Sequence, residues 1–132
     1  MFITREMDYA VRIIRDLSRG GRKTIDEICQ NEQIPRQFGY KILKKLANNG
    51  LARIFRGTGG GYTLAVDIGE ITLFDIITAV DGELLLCECL DHGVNCPMKK
   101  RGKRICGVHK ELVRIQGLLL SHLKEKSMAE IG

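Results

Sequence analysis

Apolar residues in the first fifty positions recur at steps of three and four, and polar breaks divide them into three short runs. Ala10, Ile13, Ile14 and Leu17 predict a first helix over residues 4–18, ended by Gly20-Gly21. Thr24, with Glu27 three positions on, has capping-box spacing and predicts a second helix over 24–31 that buries Ile25 and Ile28. Cys29 falls on or near that helix and reads as a small core or surface residue. Ile34-Pro35 opens a third helix, because the amide that proline lacks would have no partner in a first turn. Phe38, Ile42, Leu43, Leu46 and Ala47 form its apolar face, and Asn49-Gly50 stops it. Over 51–65 the period changes to two, with Leu51, Arg53 and Phe55 alternating with Ala52, Ile54 and Arg56. Tyr62 and Leu64 follow a glycine-rich tip, which predicts a hairpin. A turn at 66–70 leads to a Thr72-capped helix over 73–80. Further on, Val108, Leu112, Ile115, Leu119 and His122 repeat as a heptad seam, widened by Leu118, Leu120 and Leu123.

Two short helices and a third with basic and amide side chains near its start form a helix-turn-helix layout. Arg36, Gln37, Tyr40, Lys41 and Lys44 lie off the third helix's apolar face. Arginine and glutamine there have bidentate partners on base edges in a DNA major groove. A hairpin directly afterwards is a wing. Arg53 and Arg56 sit on its arms, and Gly59 and Gly60 at its tip let backbone approach phosphate closely. The glycines are not a nucleotide-binding loop, because no Gly-Lys-Ser/Thr ending follows them. No nucleophile, base and orienting group stand at a recognisable spacing, so the chain does not read as an enzyme. A small domain cannot hide a terminal heptad seam. Pairing with a second copy covers it, and a two-fold homodimer matches a palindromic operator in double-stranded DNA.

Between residues 83 and 107 neither period survives. Four of the five cysteines lie there, Cys87, Cys89, Cys96 and Cys106, and His109 closes the stretch. Thiols in a glycine-broken loop can converge on one point, which suggests a bound metal. A structural zinc site and a redox pair such as Cys87 with Cys96 are the competing readings. The chain has 132 residues, 44% hydrophobic and 28% charged, which suits a folded domain. Arg5, Glu6 and Asp8 interrupt any signal-peptide core, and no run of about 18 apolar residues could span a membrane. The expected place is therefore the cytoplasm, where thiols stay reduced and a cysteine cluster binds metal or senses redox state. The net charge of +5 is compatible with a nucleic-acid partner. The expected fold is mainly α with a small β-hairpin: a winged helix-turn-helix domain over 1–82, a cysteine-rich loop over 83–107, and a dimerisation helix with its tail over 108–132.

The stretches IPRQFGYKILKKLANNGL, RGTGGGY and ITLFDIITAVDG, in that order before the cysteines and the long helix, carry a resemblance that runs from Ile3 to Ile131. The chain resembles the Rrf-two family of winged-helix transcription regulators. The resemblance implies a homodimer formed through the long helix, with third helix and wing on DNA. In cluster-bearing members it also implies an iron–sulfur cluster on three loop cysteines, here Cys89, Cys96 and Cys106. Cys87 is an extra thiol and an alternative to Cys89, and a Lys/Arg/Gly insert over 99–104 lengthens the gap before Cys106. Two fourth ligands stay open. His109 matches the histidine of [2Fe–2S] regulators, and Asp8 matches the aspartate that nitric-oxide sensors supply across the dimer to a [4Fe–4S] cluster. The alternative within the family is a cluster-free regulator that switches by thiol oxidation or a small effector.

Overall fold

The computed structural model describes residues 3–91, 97 and 106–132. Cys96 and the basic insert 99–104 lie outside them. The chain begins with three helices, α1 (Arg5–Ser18), α2 (Ile25–Glu32) and α3 (Arg36–Asn48). A hairpin of β1 (Ala52–Phe55) and β2 (Gly61–Leu64) follows. Then come a 3-10 turn (Ile68–Glu70), α4 (Leu73–Asp81), a second 3-10 turn (Glu88–Leu90), α5 (Gly107–Glu125) and a last short helix, α6 (Met128–Ile131).

Helices α1, α2 and α4 start after threonine caps. Thr4 Oγ1 accepts the Met7 amide at 3.2 Å, and Thr24 Oγ1 accepts the Glu27 amide at 3.2 Å. The reciprocal half of the expected box is absent at Thr24 but present at Thr72, where the Asp75 carboxylate accepts the Thr72 amide at 2.9 Å. Such caps satisfy first-turn amides that have no partner within the helix. The apolar faces of α1 to α4 then meet in one core. Ile13, Ile14, Ile28, Ile42, Leu43, Leu46, Ile71 and Ile76 are its largest fully buried side chains. Each such side chain contributes about 1.5–3 kcal/mol by leaving water.

Two features bring α3 tightly onto α2. Gln33 ends α2 in the left-handed region at φ 54°, a conformation that turns the chain sharply into Ile34. Gly39 faces α2 so closely that a Cβ there would stand 2.7 Å from Cys29 Sγ and 3.0 Å from Ile25 Cδ1. Only a residue without a side chain permits that approach.

The long helix differs from a free-standing seam. Leu119, Leu120 and Leu123 of α5 pack on a second cluster of Met7, Ile77 and Leu84, so they face their own domain. Val108, Ile115 and Leu118 are left outward at 69%, 39% and 50% exposure, and His122 is exposed beside Glu125. The expected seam thus straddles the border between a docked face and an open one. Heptad spacing marks an apolar stripe but does not say which neighbour covers each half of it. The tail also returns to the head. Met128 donates its amide to the Ile71 carbonyl at 2.7 Å, and its side chain is buried in the main core. Among the described residues no helix is long and apolar enough to cross a membrane.

Candidate functional site

The exposed face of α3 carries Arg36, Gln37, Tyr40, Lys41 and Lys44, spaced so that they share one side of the helix. Arg36 Nη2 donates to the Tyr40 hydroxyl at 3.2 Å, and its Nε lies 3.3 Å from the Asp26 carboxylate. Arg36 and Tyr40 are therefore held as a pair one turn apart. Lys41 has an intramolecular partner that periodicity could not reveal. Its Nζ is 2.7 Å from Glu6 of α1, and Lys45 holds the same carboxylate at 3.0 Å. The hydrogen bonds from Lys41 and then Lys45 keep the Glu6 carboxyl below its usual range. Lys41 thus reaches any anionic partner with part of its charge already offset.

The wing stands across a groove from this face. Its strands pair antiparallel in the register Ala52 with Leu64, Arg53 with Thr63, Ile54 with Tyr62 and Phe55 with Gly61. Arg53 and Arg56 are exposed. The tip closes by a Gly60 amide to Gly57 carbonyl bond at 2.9 Å. A Cβ at Gly60 would stand 2.7 Å from the Phe55 carbonyl oxygen, so the turn requires glycine. Tyr40 lines one wall of the groove and Gly59, Gly60 and Gly61 the other, around a volume of about 400 Å³.

Residues between α1 and α2 fix the wing, and sequence reasoning did not find them. Arg22 donates to the Gly59 carbonyl at 2.5 Å and lays its guanidinium 3.7 Å from the Phe55 ring centroid. Lys23 exchanges both backbone hydrogen bonds with Tyr62, at 3.1 and 2.8 Å. Its Nζ reaches back to Asp16 Oδ1 at 3.0 Å and to the Asp16 carbonyl at 2.6 Å. Asp16 is fully buried and also accepts from Asn31 Nδ2 at 3.3 Å. A charged residue interrupting the apolar rhythm of α1 was the available signal.

The thiol region follows α4 in the chain and packs against α5. Cys87 Sγ and Cys89 Sγ are 3.1 Å apart at the start of the second 3-10 turn. Cys89, Asp91 and His109 line one cleft of about 300 Å³ against α5, together with Glu83 and Gln116. Cys106 is the N-cap of α5, one turn before His109. Asp8, on α1, pairs with Arg12 at 2.8 Å. Among the described residues, no three of His, Cys, Asp and Glu come together as a metal-binding group. Cys29 stands apart on α2, where burial first and Asp26 second push its thiol up and leave little reactive thiolate.

Comparison with known proteins places this frame. The family model Rrf2, described as an iron-dependent transcriptional regulator, matches residues 3–132. Protein aau3 of Rhizobium meliloti is 34% identical over 101 residues, 74% of this chain and 66% of that protein. The HTH-type transcriptional regulator IscR of Cronobacter sakazakii is 31% identical over 96 residues, 70% of this chain and 59% of that protein. The matches span two thirds or less of the length of these curated relatives. The structure of CymR, the global cysteine regulator of B. subtilis, is similar at a TM-score of 0.73 with 22% identity, covering 98% of this chain and 94% of that one, a likeness of fold. The helix-turn-helix, the braced wing and the family match over residues 3–132 agree: the chain belongs to the Rrf2 family, whose members are DNA-binding transcriptional regulators and not enzymes.

Proposed function

We propose that the chain acts as a homodimer on a palindromic operator and senses redox, nitric oxide or iron–sulfur status through a cluster held by its loop. The observation that carries the DNA reading is the groove between α3 and the wing. One wall presents Tyr40 beside Arg36, and the other presents glycine backbone flanked by Arg56. In this reading Arg36 and Gln37 address base edges, and Tyr40, Lys41, Lys44 and Arg53 address the backbone. Arg56, Gly59 and Gly60 follow the neighbouring minor groove. The outward Val108, Ile115 and Leu118 supply the apolar stripe through which two copies would pair.

The donor set of the loop fits an iron–sulfur cluster. Cys89 and His109 share one cleft, Cys106 caps the helix that carries His109, and the approach of Cys87 to Cys89 leaves either thiol able to serve. Cys96 would complete the three thiolates, with His109 or the partner subunit's Asp8 as the fourth ligand. Bound there, a cluster would supply an oxidisable, iron-dependent link between the loop and α5. The second reading, a thiol switch without a cluster, is favoured by the 3.1 Å separation of Cys87 and Cys89 Sγ.

Selection of bound duplexes from a random DNA pool, followed by anisotropy titration, tests the DNA reading. A palindrome is expected, with half-sites about 10 base pairs apart or a multiple of that. Arg56→Ala should weaken binding to all sequences and lower the slope of log affinity against log salt by about one. Gln37→Ala should relax preference at one base pair by about 1–3 kcal/mol. Uniform losses from both variants would overturn the division of roles, and failure to enrich any sequence would overturn the reading.

A further inference from the structure

The thiol-bearing segment leaves α4 at Gly82 and meets α5 before it reaches Cys87. Leu84 anchors it by a side chain buried with Met7 and Ile77. The peptide groups on either side of Leu85 then turn to α5, where a single side chain engages both. Gln116 Oε1 accepts the Leu86 amide at 2.9 Å, and Gln116 Nε2 donates to the Leu84 carbonyl. A neutral carboxamide can give and take a hydrogen bond at once, so here it pairs with the segment as a neighbouring strand residue would. Gln116 lies two helical turns after His109 on the same face of α5, and both line the cleft that holds Cys89.

We infer that Gln116 is a positioning residue for the thiol site: it pins segment 84–86 to α5, and so sets Cys89 opposite His109. The inference deepens the sensor reading and rests on it for its functional meaning. The position of the thiols is then fixed by α5 as well as by the loop. A change in the loop's chemistry would pull on the helix whose open face carries Val108, Ile115 and Leu118. The direction of coupling follows from the bonds. Gln116 grips the segment between α4 and the thiols, so strain at Cys87 or Cys89 meets two hydrogen bonds to α5 before it reaches α4.

The test uses the full chain, reduced and free of metal, with hydrogen exchange at Leu86 and peptide-resolved alkylation of Cys87 and Cys89 by iodoacetamide. Gln116→Leu removes both bonds. Gln116→Glu keeps the size and one acceptor but sets a carboxylate against the Leu84 carbonyl. Gln116→Leu should speed Leu86 exchange and Cys89 alkylation about tenfold, whereas Gln116→Glu, which still accepts the Leu86 amide but repels the Leu84 carbonyl, should speed both by less. The melting temperature should fall only slightly, since Gln116 and Leu86 are half-buried and lie outside the main core. Unchanged exchange and alkylation in the Leu variant would overturn the inference. Iron uptake from iron(II) and sulfide, measured in parallel, separates the two layers. Wild type that takes up iron and variants that lose it faster support the inference with its functional meaning. Wild type that takes up none overturns the sensor reading and, with the exchange result as expected, leaves the positioning role supported.

Discussion

Asp16→Ala is expected to destabilise the fold by about 3–5 kcal/mol, because it leaves cationic partners facing a site built around a carboxylate. Asp16 is fully buried, and Lys23, whose Nζ is 3.0 Å away, has a side chain only 15% exposed. Arg19 approaches at 3.4 Å and Asn31 at 3.3 Å. Taking the carboxylate away removes charge-assisted hydrogen bonds and strands Lys23 beside the core. Lys23 is also the residue whose backbone pairs with Tyr62, so the defect should spread to the wing. Thermal unfolding followed by circular dichroism should show a fall of roughly 10 °C or more. Asp16→Asn, which keeps the shape and one acceptor, should cost less. A fall below about 3 °C for the alanine variant would mean that the cluster contributes little net stability.

Gly61→Ala is expected to uncouple the wing. Gly61 has φ 146°, and an added Cβ would stand 2.7 Å from the Lys23 carbonyl oxygen. That oxygen accepts the Tyr62 amide at 2.8 Å, so the new methyl group pushes against the bond that fastens the wing. Backbone strain and overpacking together cost about 2–4 kcal/mol. Gly59→Ala is the matched control. Gly59 has φ 75° but nothing within 4 Å of its added Cβ, which leaves a strain of only about 1–2 kcal/mol. Melting temperature and anisotropy on a selected duplex should rank Gly61→Ala below Gly59→Ala, with DNA affinity down about tenfold or more for the former. Equal effects would show that the tip conformation matters and the Lys23 contact does not.

The helices were legible because their signals are local. Ala10, Ile13, Ile14 and Leu17 are all buried on α1, and Thr72 caps α4 as its spacing implied. The wing was legible as a hairpin because alternation and glycine are local as well. What escaped were pairings across the chain. Glu6 with Lys41 and Lys45, Arg22 with Phe55, and Gln116 with residues 84 and 86 join positions about 30 or more apart in sequence. Their side chains have no periodic signature, because any exposed polar position satisfies the pattern equally well. The heptad seam is divided for a related reason. Leu119 and Ile115 have the same periodicity, yet one meets Met7's cluster and the other faces out. At the thiol loop Cys89 and His109 share a cleft, but the expected ligand set includes Cys96, outside the described residues.

Iron and inorganic sulfide content after anaerobic purification, with a visible spectrum, tests the sensor reading most directly. Wild type is expected to retain both, and Cys89→Ser and Cys106→Ser to lose them. Sensitivity to His109→Ala would favour a [2Fe–2S] cluster, and sensitivity to Asp8→Ala a [4Fe–4S] cluster. A colourless wild-type chain free of iron and sulfide would contradict the cluster, and would leave a thiol switch on the same DNA-binding frame.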